Sequence, residues 1–320
     1  RLISLLFLAQ FLVACESKLE QTQATITQQV AVAEQSIQQL GSELDAGQIR
    51  NAKILREYSK LLAQQKPEMA TLANLIAEDA GKQGPLYQSL RTRINDTKNR
   101  VVSLDNATEI LDDLTRIQEA SRPSLFADAL TDPINVLADM SDGQLPRIGA
   151  ISQAAEERAG GENMGAGSQL VGNPNYGGWQ TQSNGTSFWQ WYGMYRLLGD
   201  LTDRMSYSRW SNNRRYSYYS DYGRSRYTSG SQYRKQNAVE TKTRKSFARK
   251  GQNFASPYAK KRTGSSGLSR SSFTPTKTVS SYAKSSKTSS SAKNSSSKSS
   301  SSSSFRNSSS RTSRGVSRGK

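Results

Sequence analysis

The sequence predicts a mainly α-helical protein: an N-terminal antiparallel helical bundle, then an aromatic and arginine-rich segment, then a disordered basic serine-rich tail. Three observations carry this reading. Apolar residues recur at intervals of three and four through residues 15–145. The breaks between these runs are short and hold Gly or Pro, which suits antiparallel neighbours. After Glu240 there is no further acidic residue, and apolar groups become too sparse to offset the entropy of ordering the backbone.

The elements follow in order. Leu19, Ile26, Val30, Ala33, Ile37, Leu40 and Leu44 form a heptad-like seam, with Gln23 interrupting one core position. This stripe fits either a helical spacer or the first helix of a bundle, and a helix from Cys15 to Leu44 is about 45 Å long. Ile49, Ile54, Leu55, Tyr58, Leu61 and Leu62 make the next apolar face, and Pro67 opens a helix with Met69, Leu72, Leu75 and Ile76. Beyond Gly84 and Pro85 come Leu86, Leu90, Ile94 and Val101. Asn106 is placed to cap a helix burying Ile110, Leu111, Leu114 and Ile117. Ser124 to Leu130 and Pro133 to Met140 complete the domain.

Residues 146–175 read as a flexible Gly/Asn-rich linker, since Gly160, Gly161, Gly165 and Gly167 lack the Lys-Ser/Thr ending of a phosphate loop. Residues 176–239 hold all four tryptophans, and ten of the fourteen tyrosines lie between Tyr176 and Tyr233. Phe188, Trp191, Tyr192, Tyr195 and Leu198 suggest a short aromatic helix. It would either dock on the bundle or lie at a membrane interface with Arg196 and Arg204 near lipid phosphates. Arginines interleave with aromatics beyond it. Arg214, Arg215, Arg224, Arg226 and Arg234, joined by Lys260, Lys261 and Arg262, are candidate polyanion contacts, with Trp189, Trp191 and Trp210 as candidate stacking partners. A disordered, self-associating segment is the alternative. Residues 240–320 form the tail.

Composition removes most catalytic chemistry. The chain has no histidine and one cysteine, which excludes Ser-His-Asp and Cys-His machinery, the usual zinc sites and an intrachain disulfide. The adjacent acidic pairs Glu78-Asp79, Asp112-Asp113 and Glu156-Glu157 diverge on a helix and read as solvated faces. Asp128, Asp132, Asp139 and Asp142 lack a calcium-loop pattern. No catalytic residue, metal ligand or cofactor site is assigned. Charge is divided sharply: residues 1–160 carry 16 Lys+Arg against 21 Asp+Glu, a net −5, whereas residues 161–320 carry 28 against 5, a net +23. The second half seeks anions.

Residues 1–14 form an apolar run too short to span a bilayer, ending in Leu12, Val13, Ala14 and Cys15. This order resembles the lipobox of bacterial lipoproteins. The resemblance implies cleavage before Cys15 and acylation of its thiol, which would hold the mature chain firmly on a membrane. Glu16 replaces the aspartate that retains such proteins in an inner membrane, so the implied destination is the outer membrane. The strings GPLYQSL, TSFWQWYGMYRLLGDL and FASPYAKKRTGSSGLSRSS are similar to predicted envelope lipoproteins with serine-rich basic tails. The expected partners are the membrane, through lipidated Cys15, and anionic envelope polymers: lipopolysaccharide, phospholipid or peptidoglycan. A helical protein partner fits the seam. Nucleic-acid binding by the basic half is the alternative, opposed by the export signal, and a carboxylate-only enzyme is the remote third.

Overall fold

The computed structural model describes residues 2–149, 162–213 and 216–254, with side chains described from Lys18 onward. The helical reading is correct. Helix α1 runs from Leu2 to Asp45, α2 from Arg50 to Gln65, α3 from Ala70 to Ala77, α4 from Pro85 to Lys98, α5 from Ala107 to Ala120, α6 from Pro123 to Ala129 and α7 from Thr131 to Met140. Helix α1 lies against α4 and α5, and α2 against α3 and α7. The seam of α1 is the inward stripe: Ile26, Ala33, Ile37, Leu40 and Leu44 are buried and Val30 is partly buried. Pro85 and Pro123 occupy first-turn positions, where the missing N–H costs nothing. Asn106 does not cap α5. Its side chain turns back into the preceding loop, accepting from Ser103 N and donating to Val101 O, each at 2.9 Å.

Helix α7 is buried on nearly every face, from Thr131 to Ala138. A helix apolar on one stripe has one covered side, so burial all round requires cover from two sides. The second cover comes from residues 162–254, and here three sequence expectations fail. Residues 162–175 are not a free linker: Met164, Leu170 and Val171 are buried, and the turn Ser168–Leu170 packs on α7. The glycines that suggested flexibility serve close packing. Gly165 has φ +81°, and a Cβ there would collide with the carbonyl of Leu201.

The expected aromatic helix begins instead as a β-hairpin, with β1 from Gly177 to Thr181 and β2 from Ser187 to Trp191. Trp179 stands opposite Trp189 in an antiparallel register. Bulky aromatics favour a pleated surface, Trp189 and Trp191 alternate with Gln190, and Asn184-Gly185 in the connecting loop is a hairpin signal. Over so short a run, spacings of three and four competed with alternation and misled. Helices α8 (Arg196–Leu201) and α9 (Tyr207–Asn213) follow, then a π-turn (Tyr219–Gly223) running into α10 (Arg224–Tyr227).

The last helix, α11, spans Gly230–Arg249 and crosses the expected boundary at residue 240. The segment does not stop at Glu240 because that residue is itself buried and pairs with Arg244 within the helix at 3.2 Å. Residues 150–161 of the expected linker and 255–320 of the expected tail lie outside the described residues.

Trp179, Trp189, Trp191, Trp210, Tyr195 and Tyr207 are buried and complete the core, while Tyr192, Met194 and Leu197 of the same segment stay exposed. Trp179 meets Trp189 and Tyr207 edge to face, at 5.2 and 4.7 Å, and lies tilted against Trp210 at 5.1 Å. Such contacts add roughly 0.5–1.5 kcal/mol per pair to the burial itself.

Candidate polyanion-binding surface

Two buried carboxylates join this aromatic layer to the bundle. Asp79, expected on a solvated face, is fully buried; it accepts from Tyr176 Oη at 2.5 Å and from Leu86 N in the first turn of α4 at 3.2 Å. Asp132, also buried, accepts from Ser217 Oγ at 2.9 Å, Tyr218 N at 2.8 Å and Tyr219 N at 3.0 Å. It thereby caps, from α7, the free N–H groups that begin the π-turn. Burial pushes both carboxyls up to about 7, against hydrogen bonds that pull the other way. Among the described residues no group of three or more His, Cys, Asp or Glu is arranged to hold a metal. Asp139 is engaged by Arg147 and Gln169, and Asp142 by Lys66. Asp112 remains exposed, Asp113 is largely covered beside Arg100, and Glu156 and Glu157 lie outside the described residues.

The basic candidates divide. Arg224 donates to Gln236 Oε1 at 3.1 Å and lies 4.8 Å over the Tyr233 ring. Arg226 pairs with Glu119 of α5 at 3.0 Å and donates to Tyr222 O. These two arginines hold elements together. Arg234 alone of the described candidates is fully outward. Arg214, Arg215, Lys260, Lys261 and Arg262 lie outside the described residues, as does the side chain of Cys15, whose backbone belongs to α1. Trp189, Trp191 and Trp210 are 5, 8 and 2% exposed, too covered to stack on a ligand.

The outward basic surface is α11. Ser229 and Gln232 open it with a reciprocal capping box, Gln232 N donating to Ser229 Oγ at 3.2 Å and Ser229 N to Gln232 Oε1 at 3.0 Å. One face packs inward: Gln236 donates to Gly172 O at 3.0 Å, and Thr243 meets Ser187 of β2 at 3.1 Å. Val239 is partly buried in the core. The other face carries Arg234, Lys235, Lys242, Lys245 and Arg249, all exposed. At 100° per residue these five fall within an arc of about 100°, spread over about 22 Å of helix. Among the described residues, none of the five has a carboxylate within ion-pair distance.

Composition had assigned four of these cations to no site. The Ser229-x-x-Gln232 box, followed by Gln236, Val239 and Thr243 at helical intervals, was the available signal. No family model matches the chain, and no curated protein or solved structure shows significant similarity to it.

Proposed function

We propose that the protein is a non-enzymatic, lipid-anchored component of a bacterial cell envelope, structural or scaffolding in role, whose basic C-terminal half holds anionic envelope material. The observation that carries the second part is the unpaired cationic face of α11, which leads into a sequence free of acidic residues. The first part rests on the order Leu12, Val13, Ala14, Cys15. The fold is compatible with that anchor: α1 has no buried residue from Lys18 to Thr25, and its packed stripe begins at Ile26. Eleven helical steps from Cys15 to Ile26 would set the domain about 16 Å from an acylated cysteine.

No helix among the described residues is long and apolar enough to cross a membrane. Lipid at Cys15 is therefore the attachment to test. Replacing Cys15 by Ser is expected to leave unacylated precursor and to release the protein from salt-washed membranes. Full retention of the Cys15→Ser chain in those membranes would remove the lipoprotein reading, and intact-mass analysis of the wild-type protein would supply an independent measure of acylation.

A further inference from the structure

We infer that the solvent face of α11 is an adsorption surface for the plane of phosphate headgroups on an anionic bilayer, and that it adsorbs without inserting. The inference rests on the reading that the basic half is the anion-binding part of the molecule, and it assigns that binding to one face and one partner.

Geometry selects the partner. Arg234, Lys235, Lys242, Lys245 and Arg249 share a single side of one helix within an arc of about 100°, so one plane can meet all five. The same arc holds only Ser231 and Ala238 besides, and no acidic residue. An amphipathic helix that enters a bilayer turns an apolar face toward the acyl chains. Helix α11 has no such face to offer, because Gln236, Val239 and Thr243 are already committed to the layer beneath. The capping box and these contacts fix the roll of the helix, so its cations cannot rotate away. A rigid, flat row of charge with nothing to insert fits a charged surface better than a groove-bound chain. Arg224 and Arg226, being occupied by Gln236 and Glu119, stay outside this surface.

Adsorption by charge alone has two signatures. Attraction is screened over about 8 Å at physiological ionic strength, so binding collapses as salt rises. The tryptophans, all buried in the layer, keep their emission when the protein binds.

The test uses the chain from residue 15 carrying Cys15→Ser, so that neither lipidation nor the apolar run of residues 1–14 contributes, and vesicles of phosphatidylglycerol mixed into phosphatidylcholine. Each basic side chain near such a surface contributes roughly a fivefold factor in partitioning. Replacing Arg234, Lys235, Lys242, Lys245 and Arg249 together by Gln is therefore expected to lower partitioning well over tenfold, with the thermal midpoint nearly unchanged. A second variant removes the same charge from Lys260, Lys261, Arg262, Lys277 and Lys284, and its loss should be severalfold smaller. A three-site variant at Lys235, Lys242 and Arg249 guards against a folding defect, and Lys235, Lys242 and Lys245 changed to Arg should restore full binding. Equal losses from the helix and tail variants would overturn the assignment to α11 while leaving the basic half as the binding region. Absence of wild-type binding to vesicles, lipopolysaccharide and oligonucleotides alike would overturn both. A tryptophan blue shift on vesicles, or an α11-dependent preference for single-stranded oligonucleotide over vesicles, would also sink the bilayer proposal.

Discussion

Two neighbouring stretches rich in basic side chains, Met205–Tyr227 and Gly230–Arg249, use them in opposite ways. In the first, Arg209 pairs with Glu162 at 2.7 Å, Arg226 with Glu119, and Arg224 bonds Gln236 beneath Tyr233. In the second, among the described residues, only Arg244 finds a carboxylate, within its own helix, and five other cations project from one side. The partners of the first stretch come from three places: Glu119 on the bundle, Glu162 in the segment before the hairpin and the Gln236 amide on α11. The second packs through amide, hydroxyl and short apolar groups, which leaves its charges outward. A basic composition therefore does not locate a binding surface; the acidic groups packed opposite decide which cations remain available.

The contrast predicts different responses to substitution. The largest should come from the aromatic layer itself: Trp210→Ala, at a site 2% exposed, is expected to cost about 3–5 kcal/mol in urea unfolding. A loss below ~1 kcal/mol would mean the layer is not part of the core. Arg93 is a cation inside the joint, 4% exposed, donating to the carbonyl of Arg226 and lying 3.7 Å from Asp113. Asp113 keeps Arg100 as a second partner at 2.9 Å. Arg93→Ala should thus cost about 2–3 kcal/mol, near the lower end for breaking a buried pair.

The next effect concerns pH. Asp79 and Asp132 have folded-state values of about 7 against an ordinary 3.8. The folded protein therefore holds these protons more tightly than the unfolded chain. Their contribution to stability is fully present below about pH 3.8 and is lost as pH rises through about 7. The urea midpoint of the wild type should fall between pH 5 and pH 8 by more than that of an Asp79→Asn, Asp132→Asn double variant. Identical falls in the two proteins would remove both carboxyls as the cause.

Smaller still is Arg226→Ala. Its pair with Glu119 is about one-third exposed on each side, so a double-mutant cycle should return about 1 kcal/mol or less. At the bottom stand the five α11 cations, each expected within about 0.5 kcal/mol of wild type when changed to Gln, because they touch nothing that holds the fold. If Lys242→Gln destabilised the protein as much as Arg93→Ala, the division between structural and available cations would fail.

The bundle was legible because Ile26, Ala33, Ile37, Leu40 and Leu44, and likewise Ile110, Leu114 and Ile117, repeat at the helical period over long runs. Pro67 marked a start, while Pro85 and Pro123 were read as breaks between runs and prove to sit in the first turns of α4 and α6. The layer was less legible because its elements are short. A five-residue strand such as Ser187–Trp191 holds barely two periods of alternation, and its aromatics are spaced to satisfy either pattern. Asp79 and Asp132 carried no local sign of burial, since their partners Tyr176 and Ser217–Tyr219 lie 85–97 residues away in the chain. For the candidate surface, Arg234 was found from charge alone; Lys235, Lys242, Lys245 and Arg249 required the register of α11.

Confinement of all four tryptophans to the layer has a spectroscopic consequence. Helices α1–α7 contain none, so intrinsic fluorescence reports the layer while far-UV ellipticity reports mainly the bundle. Coincident melting curves would mark one cooperative unit. An emission red shift preceding loss of ellipticity would mark release of the layer with the helices still formed, exposing α7 and freeing the main-chain N–H groups of Tyr218 and Tyr219 to exchange with solvent.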